Sequence, residues 1–523
     1  MHRILKNKKF ISVLLFIVLL GLFLVMVRNY SYNDVLQTIQ KDDIAIIYTN
    51  DIHGVSKKNL GFDSLAHFKS SVESKTNNVI TVDSGDDVEG TYMVKASDGK
   101  FAAKMMNEIG YDYATLGNHD FNLDDNKLQE FIDMSNVQFL ACNYNAKKIK
   151  PYHIKEINGK KIAFIGVAHP MNTTPEMLYK QVQSSINEVK NNDANFVILL
   201  THLGEEPKQT EDFTVNKLAN NISGADVILD GHTHSTIKDT IINNIHICQA
   251  GSSLRNFGLI TISYDNNINF KIIDEYNDKN EQFTKFIEQS KKEVDPNYDE
   301  VMCKTEAEIP YNGEGNMVSC SREDPLGNLL CDSYLEAINA DCAITNATGY
   351  RSNIPKGNVT KEDMKDLFAF GDDIEKIEVT GADLQDILEH ACRKTQREFQ
   401  DENGYPVGSC AEFMQVANIN FRIDTSVPSS VKTDGRNSFV AVTGERRVKD
   451  IKVKGEPLNI NKIYTLVTSK YLAGGGCGLT MLKDKQVLEN KSDIDNILCN
   501  FITNKLDGKT SEYVDTKGRI VVN

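Results

Sequence analysis

Five short polar clusters in the first half of the chain carry residue types that ligate metals. They read NDIHG (Asn50 to Gly54), SGDD (Ser84 to Asp87), GNHD (Gly117 to Asp120), THLG (Thr201 to Gly204) and GHTH (Gly231 to His234). Each sets one or two good ligands beside a glycine, at the end of an apolar, strand-like run. In the first, Asp51 and His53 are two apart, so an extended strand end would point both side chains the same way, toward one ion. Gly85 allows a sharp turn that leaves Asp86 at a strand's C-terminal end, where a carboxylate can bridge two ions. Asn118 offers a neutral oxygen, while adjacent His119 points elsewhere. THLG contributes His202, and His232 and His234 repeat the alternate spacing. Imidazoles mixed with carboxylates suit the Zn, Mn, Fe or Co class of divalent ion better than the all-oxygen shells of Ca or Mg. One such cluster alone is more often ordinary surface polarity. Five in order imply a metal site assembled from strand ends, and hence a metal-dependent hydrolase. His67, His153, His169 and His246 lack such partners and read as packing or surface histidines.

The elements that must hold these clusters are visible as periodicity. Apolar runs such as IAIIYT (44–49), NVITVD (78–83), KIAFIGVA (161–168), NFVILLTH (195–202) and DVILDGH (226–232) read as buried strands. Helix-like segments such as SLAHFKSSVES (64–74) and KFAAKMMNEIG (100–110) alternate with them, which predicts α/β layering. At 523 residues the chain exceeds one ordinary core, so two domains are expected. The division reads as 1–43 for a cytoplasmic stub, an N-terminal membrane segment and a spacer, 44–276 for the ligand-bearing domain, 277–300 for an interdomain helix, and 301–523 for a second domain.

Composition bounds partner and compartment. With 73 acidic against 58 basic residues the net charge is −15, which argues against a nucleic-acid polymer as partner. A small phosphorylated ligand is compatible, because a metal pair and one or two arginines can hold it. Arg3, Lys6, Lys8 and Lys9 precede an apolar run from Phe10 to Val27. The first alanine is Ala45, so no A-x-A cleavage site follows that run, and the first cysteine is Cys142, which leaves no lipid attachment point near it. An uncleaved cell-membrane anchor with the body outside the cytoplasm is therefore expected, with secretion after signal cleavage as the alternative. The C-terminal GRIVVN has no hydrophobic tail for a lipid-linked anchor. Ten cysteines are compatible with an oxidising compartment, and Cys331 and Cys342 could bridge.

In this order the five clusters resemble the calcineurin-like metallophosphoesterase signature, and YTNDIHG and GNHDFN resemble its 5′-nucleotidase family. The resemblance runs over roughly residues 44 to 510. It implies a four-layered β-sandwich flanked by helices that holds two divalent metals, then a helix, then a C-terminal α/β substrate-binding domain. Carried over, Asp51, His53, Asp86 and His234 would hold one metal. Asp86, Asn118, His202 and His232 would hold the other, with Asp86 bridging. In the second half, SREDPLGNLLCD (321–332) resembles the family segment that turns Arg322 to the phosphate. ITNATGYR (344–351) resembles its TNGGGIR-type loop and directs Asn346 and Arg351 toward the nucleotide. AEFMQVANINFRID (411–424) and KYLAGGGCGL (470–479) resemble strings whose aromatics, here Phe413 and Tyr471, clamp the base. Two rings around a flat base contribute ~1–3 kcal/mol per base and tolerate different bases.

Two positions depart from the family pattern. The family often reads GNHEFD, with the last aspartate orienting the catalytic histidine; here Asn122 follows His119 in GNHDFN. An amide oxygen can accept from the imidazole, but it supplies no charge to an imidazolium. Asparagine there resembles the family's 2′,3′-cyclic-nucleotide phosphodiesterase branch. Cys477 stands where an aspartate commonly contacts ribose. The implied chemistry is release of phosphate from extracellular nucleotides, above all nucleoside 5′-monophosphates. The alternatives are 2′,3′-cyclic-nucleotide 2′-phosphodiesterase with 3′-nucleotidase activity, and a nucleotide-binding surface protein without turnover.

Overall fold

The structure is a computed structural model, and it describes residues 35–54, 59–171, 173–205, 213–311, 320–369, 371–395 and 412–523. The expected membrane segment, Phe10 to Val27, lies outside these residues; among the described ones no helix is long and apolar enough to cross a membrane. The chain divides into two compact units after Asp295.

The first unit is built on two six-stranded mixed sheets. In chain order the strands are β1 (Ile44–Thr49), β2 (Val79–Asp83), β3 (Tyr113–Ala114), β4 (Gln138–Phe139), β5 (Tyr152–Ile157), β6 (Lys160–Val167), β7 (Phe196–Thr201), β8 (Val227–Leu229), β9 (Thr236–Ile242), β10 (Ile245–Ala250), β11 (Phe257–Ile262) and β12 (Ile268–Ile273). One sheet has the order β12-β11-β1-β2-β3-β4 and the other β5-β6-β7-β8-β10-β9. The strands β1 to β4 are parallel, as are β6, β7, β8 and β10. Strand alternation sorts the side chains into layers. Ile44, Ile46, Tyr48, Ile80 and Val82 meet Ile162, Phe164, Ile198, Leu200 and Leu229 in the core between the sheets. Ala163, Ile165, Val197, Leu199 and Ile228 point the other way, onto Leu178, Val182, Ile186 and Val189 of the helix Pro175–Asn191. On the first sheet's outer side, the helix Gly61–Glu73 packs Phe68 against Phe257 of β11, with ring centroids 5.0 Å apart. The order is helix, sheet, sheet, helix, which matches the four layers and the α/β class expected.

A helix does occupy the segment expected to link domains, at Glu281–Val294. It docks on the first unit instead of bridging away from it. Asn280 caps its N-terminus, Thr284 Oγ1 donates to Asp63 at 3.1 Å, and Tyr92 donates to Asp295 at 2.9 Å. The anchorage combines the buried Phe283 with hydrogen bonds to distant residues.

The second unit centres on a five-stranded mixed sheet in the order Met414–Ala417, Cys342–Asn346, Ile463–Ser469, Ile374–Thr380, Val487–Lys491. Helix Pro325–Ala337 packs Leu326, Leu329 and Tyr334 with Ala343 and Val467, whereas Leu384, Ile387 and Leu388 of helix Gly381–Ala391 pack with Ile344 and Leu466. The first helix opens with Pro325 behind an Asp324 cap, the second with a Thr380–Asp383 capping box. Cys331 and Cys342 carry separate free thiols, so the bridge that the sequence allowed is not made.

Phe164 is fully buried between the sheets of the first unit. Phe164→Ala is expected to cost about 3–5 kcal/mol through lost burial and the cavity left behind, read as a lower urea midpoint for that unit's unfolding.

Candidate metal centre

Parallel strands end on one edge of their sheet, so the loops that leave them converge there. Thr49 pairs with Asp83, and Asp83 with Ala114. The clusters NDIHG, SGDD and GNHD therefore emerge together, and THLG and GHTH follow β7 and β8 of the facing sheet. The backbone then departs from the extended path expected of Asp51 and His53. Strand β1 stops at Thr49, and Asp51, His53, Asp86, His232 and His234 all have left-handed φ, between 49° and 83°. Such conformations cost of order 1–3 kcal/mol each and persist where surrounding contacts enforce them. Here Asp51 N donates to Gly85 O at 2.9 Å and His53 N to Asp86 O at 3.0 Å, folding one loop onto the next. Loop geometry, and not the strand pleat, brings Asp51 and His53 together.

The ligand atoms form two overlapping groups, Asp51–His53–His234 and Asp51–Asp86–His202, each with its atoms within 4.8 Å of one another. His53 Nε2 lies 3.2 Å from His234 Nε2, 3.8 Å from Asp51 Oδ1 and 3.6 Å from Asp86 Oδ2. His234 Nε2 is 3.3 Å from Asp51 Oδ1. His202 Nε2 sits 3.1 Å from Asp86 Oδ2 and 3.7 Å from Asp51 Oδ1, yet it is buried with no hydrogen-bond partner. Its Nδ1 is held 2.7 Å from Ser84 O, which leaves Nε2 as the free face. Asn118 Oδ1 contacts His232 Nδ1 at 2.7 Å. His232 and His234 thus turn to different sides of the centre, although their spacing had suggested a shared ion.

Electrostatics show what this cluster lacks. Burial works to raise Asp51, but His202 and His234 outweigh it and bring its carboxyl down to about 2. Asp86 is lowered further, against burial, chiefly by His202. Burial works to lower His202, whereas Asp86 and Asp51 hold it up to about 10. Asp51 and Asp86 thus lean on His202 for charge compensation at one buried point. A divalent cation would take over that neutralisation and displace the proton. An orphaned buried imidazole nitrogen converging with carboxylate oxygens on one point fits such an ion.

The remaining polar residues of the clusters brace the loops. Asp120 accepts from the backbone N–H of Gly117 (2.7 Å), Asp86 (2.9 Å), Asp87 (2.9 Å) and Val88 (3.2 Å), tying GNHD to SGDD. Asp230 accepts from Thr201 Oγ1 and from the amides of Leu203 and Gly204. Asn50 grips the backbone of Ala250 and Gly251. Burial pushes Asp120 up to about 6 and Asp230 up to about 7 even with these donors. Two further residues escaped the sequence reading. His169, taken there for a packing or surface histidine, lies against the centre, its ring 5.0 Å from His232 and 6.2 Å from His202. Glu89 Oε2 is 2.9 Å from His119 Nδ1 and also accepts from Asn122 Nδ2. The hydrogen bond to Glu89 raises His119, and the same bond brings Glu89 down to about 2. Asn122 thus turns its donor to Glu89, and the charge at the histidine comes from Glu89.

In the second unit, Asn346 and Phe413 are neighbours. Asn346 pairs with Met414, and Ala347 N donates to Phe413 O at 2.9 Å. Tyr471 follows Ile463–Ser469, which runs parallel to Cys342–Asn346, so it lies at the same edge. Tyr471 is 56% exposed, whereas Phe413 is 0% exposed within a core that includes Cys320, Leu472 and Leu479. The expected pair of open rings is therefore reduced to one, because packing claims Phe413. Arg322 is partly buried and its carbonyl accepts from Gln415 Nε2 at 2.8 Å. Arg351 is exposed, its N–H bonded to Leu367 O.

Close packing at Gly117 generates a test. A Cβ there would lie 2.1 Å from Asp86 Oδ1. Gly117→Ala is expected to displace that carboxylate, lowering metal stoichiometry by elemental analysis while far-ultraviolet circular dichroism stays at the parent's level.

Comparison with known proteins agrees with this geometry. The calcineurin-like phosphoesterase family model matches residues 44–236, and the 5′-nucleotidase C-terminal domain model matches residues 303–484. The chain is 24% identical to the trifunctional nucleotide phosphoesterase protein YfkN of Bacillus subtilis, over 91% of this chain but 35% of that longer protein. It is 24% identical to the 5′-nucleotidase of Bos taurus over 88% of each chain. The crystal structure of a 5′-nucleotidase precursor from Thermus thermophilus shares the fold, with a TM-score of 0.65 at 22% identity, over 92% of this chain and 99% of that one. With both domain models matched in tandem, and the metal-ligand residues gathered at the strand ends, the chain belongs to the 5′-nucleotidase family of calcineurin-like metallophosphoesterases and is a metal-dependent phosphoesterase.

Proposed function

We propose that this phosphoesterase releases phosphate from nucleotides, with nucleoside 5′-monophosphates as its main substrates and nucleosides as products. One observation carries the reading: Asp51, His53, Asp86, His202 and His234 converge beside the half-exposed His119. Asp51, His53, Asp86 and His234 would hold one divalent ion, and Asp86, Asn118, His202 and His232 the other. Such a pair supplies charge for the phosphoryl oxygens and an activated water nucleophile. The protein's own residues do the rest. His119, at the edge of the cluster with its ring 5.3 Å from that of His53, delivers a proton to the leaving oxygen as the phosphorus–oxygen bond breaks. Within the second unit, Arg322 and Arg351 are the groups suited to phosphate, by the fork geometry arginine favours. Asn346 hydrogen-bonds the nucleotide, and the exposed Tyr471 stacks on the base. A single open ring tolerates any base, so broad base usage follows.

A second reading has a specific observation behind it. Asn122, in place of an aspartate, matches the branch that opens 2′,3′-cyclic nucleotides and then removes the 3′-phosphate. The discriminating measurement is phosphate release from 5′-mono-, di- and triphosphates, a 2′,3′-cyclic nucleotide, a 3′-nucleotide and a nucleotide sugar, with and without chelator. Fastest release from 5′-monophosphates, abolished by chelator and reduced about 10²–10⁴-fold in His119→Ala, is expected. Release only from cyclic and 3′-substrates would favour the second reading, and no release at all would leave a binding protein.

We place the enzyme at the cell membrane with its body outside the cytoplasm, supported by Arg3 to Lys9 preceding the apolar run Phe10 to Val27. Membrane fractions washed with alkaline carbonate are expected to retain the full chain and to lose a form starting at residue 44. Recovery of a shortened native chain in the medium would show cleavage instead.

A further inference from the structure

Glu89 touches two of the imidazoles at the centre, through two different groups. Its backbone carbonyl lies 2.8 Å from His53 Nδ1, and its carboxylate lies 2.9 Å from His119 Nδ1. A carbonyl and an ionised carboxylate can only accept, so each of these ring nitrogens carries the proton and donates. His53 is thereby left with Nε2 toward Asp51, Asp86 and His234. His119 is left with Nε2 on the side away from Glu89. Asn122 Nδ2 donates to the same Glu89 oxygen and lies 3.1 Å from His119 Nδ1. Within reach of that ring, position 122 is thus occupied by a donor, and the acceptor comes from the loop after β2, thirty residues earlier in the chain. Gly90 locks this loop: it has φ +143°, and a Cβ there would lie 1.8 Å from His53 O.

We propose that Glu89 is the positioning residue for His119: its carboxylate accepts from Nδ1–H and fixes the ring's direction, so that the imidazolium's other proton, on Nε2, is the one delivered to the leaving oxygen, with Asn122 donating to the same carboxylate oxygen. The assignment rests on the phosphomonoester reading above. It makes position 122 and position 89 exchangeable carriers of one carboxylate, since both reach the same nitrogen.

The test compares Glu89→Gln with Glu89→Gln/Asn122→Asp on the nucleotide that the parent hydrolyses fastest and on 4-nitrophenyl phosphate, whose acidic leaving phenol needs little protonation. Glu89→Gln is expected to lower kcat on the nucleotide about 10–100-fold, with KM and metal content close to the parent's. The loss on 4-nitrophenyl phosphate should be smaller. Asn122→Asp in the Glu89→Gln background should recover most of the lost kcat. In nitrogen-15 NMR of the histidine side chains, the Nδ1-protonated form of His119 should be lost in Glu89→Ala, which removes the acceptor, and return in Glu89→Ala/Asn122→Asp. Unchanged kcat in Glu89→Gln, or equal losses on both substrates with no recovery in the double variant, would overturn the proposal. If the parent hydrolysed no phosphomonoester, the phosphomonoester reading would fail separately, and the tautomer measurement would still decide for or against Glu89.

Discussion

Two carboxylates buried at one spot, Asp51 and Asp86, impose the constraint around which the first unit is organised. Both are at most 1% exposed, and both share His202 as a counter-charge. Removing a carboxylate from water is costly unless opposite charge and hydrogen bonds replace the lost hydration. The molecule meets this need with imidazoles, with backbone amides such as His232 N on Asp51 and His119 N on Asp86, and with a place where a cation fits. Any loosening of the surrounding loops would let water or a wrong side chain in. The same arrangement that concentrates ligands therefore has to be stiff.

That stiffness comes from residues that do not ligate. Asp120 gathers four amides from two loops, Asp230 gathers two amides and a hydroxyl, and Asn50 pins its loop to the segment after β10. These bonds hold five candidate ligands in left-handed backbone that their side chains would not choose. The sheets beneath add the other half of the support. Alternating side chains of β1, β2, β6 and β7 interlock between the layers, so the strand ends cannot shift independently.

His119 is supported differently. It sits at the edge, half-exposed, and its orientation depends on Glu89 from the neighbouring loop. One residue thus couples the candidate ligand His53, through its carbonyl, to His119, through its carboxylate. The carboxylate cluster and the His119 ring are thus joined mechanically through that single loop. In the second unit, Tyr471 is open to solvent while Phe413 is spent on the core.

Much was legible before any coordinates. The apolar runs at 44–49, 78–83, 161–168, 195–202 and 226–232 marked β1, β2, β6, β7 and β8, because a strand buried on both faces must be apolar at every position. The ligand types beside glycines marked their C-terminal ends, because imidazole and carboxylate are recognisable as metal chemistry wherever they occur. Helix starts at Asp324–Pro325 and Thr380 likewise follow from local hydrogen bonding. The sequence by itself thus determined the layered class, the strand ends and the candidate ligand residues that gather at them, all of which depend on side-chain type and short-range spacing. Tertiary structure alone decided the left-handed turns of Asp51 and His53, the approach of His169, the burial of Phe413 and the pairing of Glu89 with His119. Each of these depends on which distant segment lies alongside, and that is settled by sheet order and packing, which no local pattern of residues records.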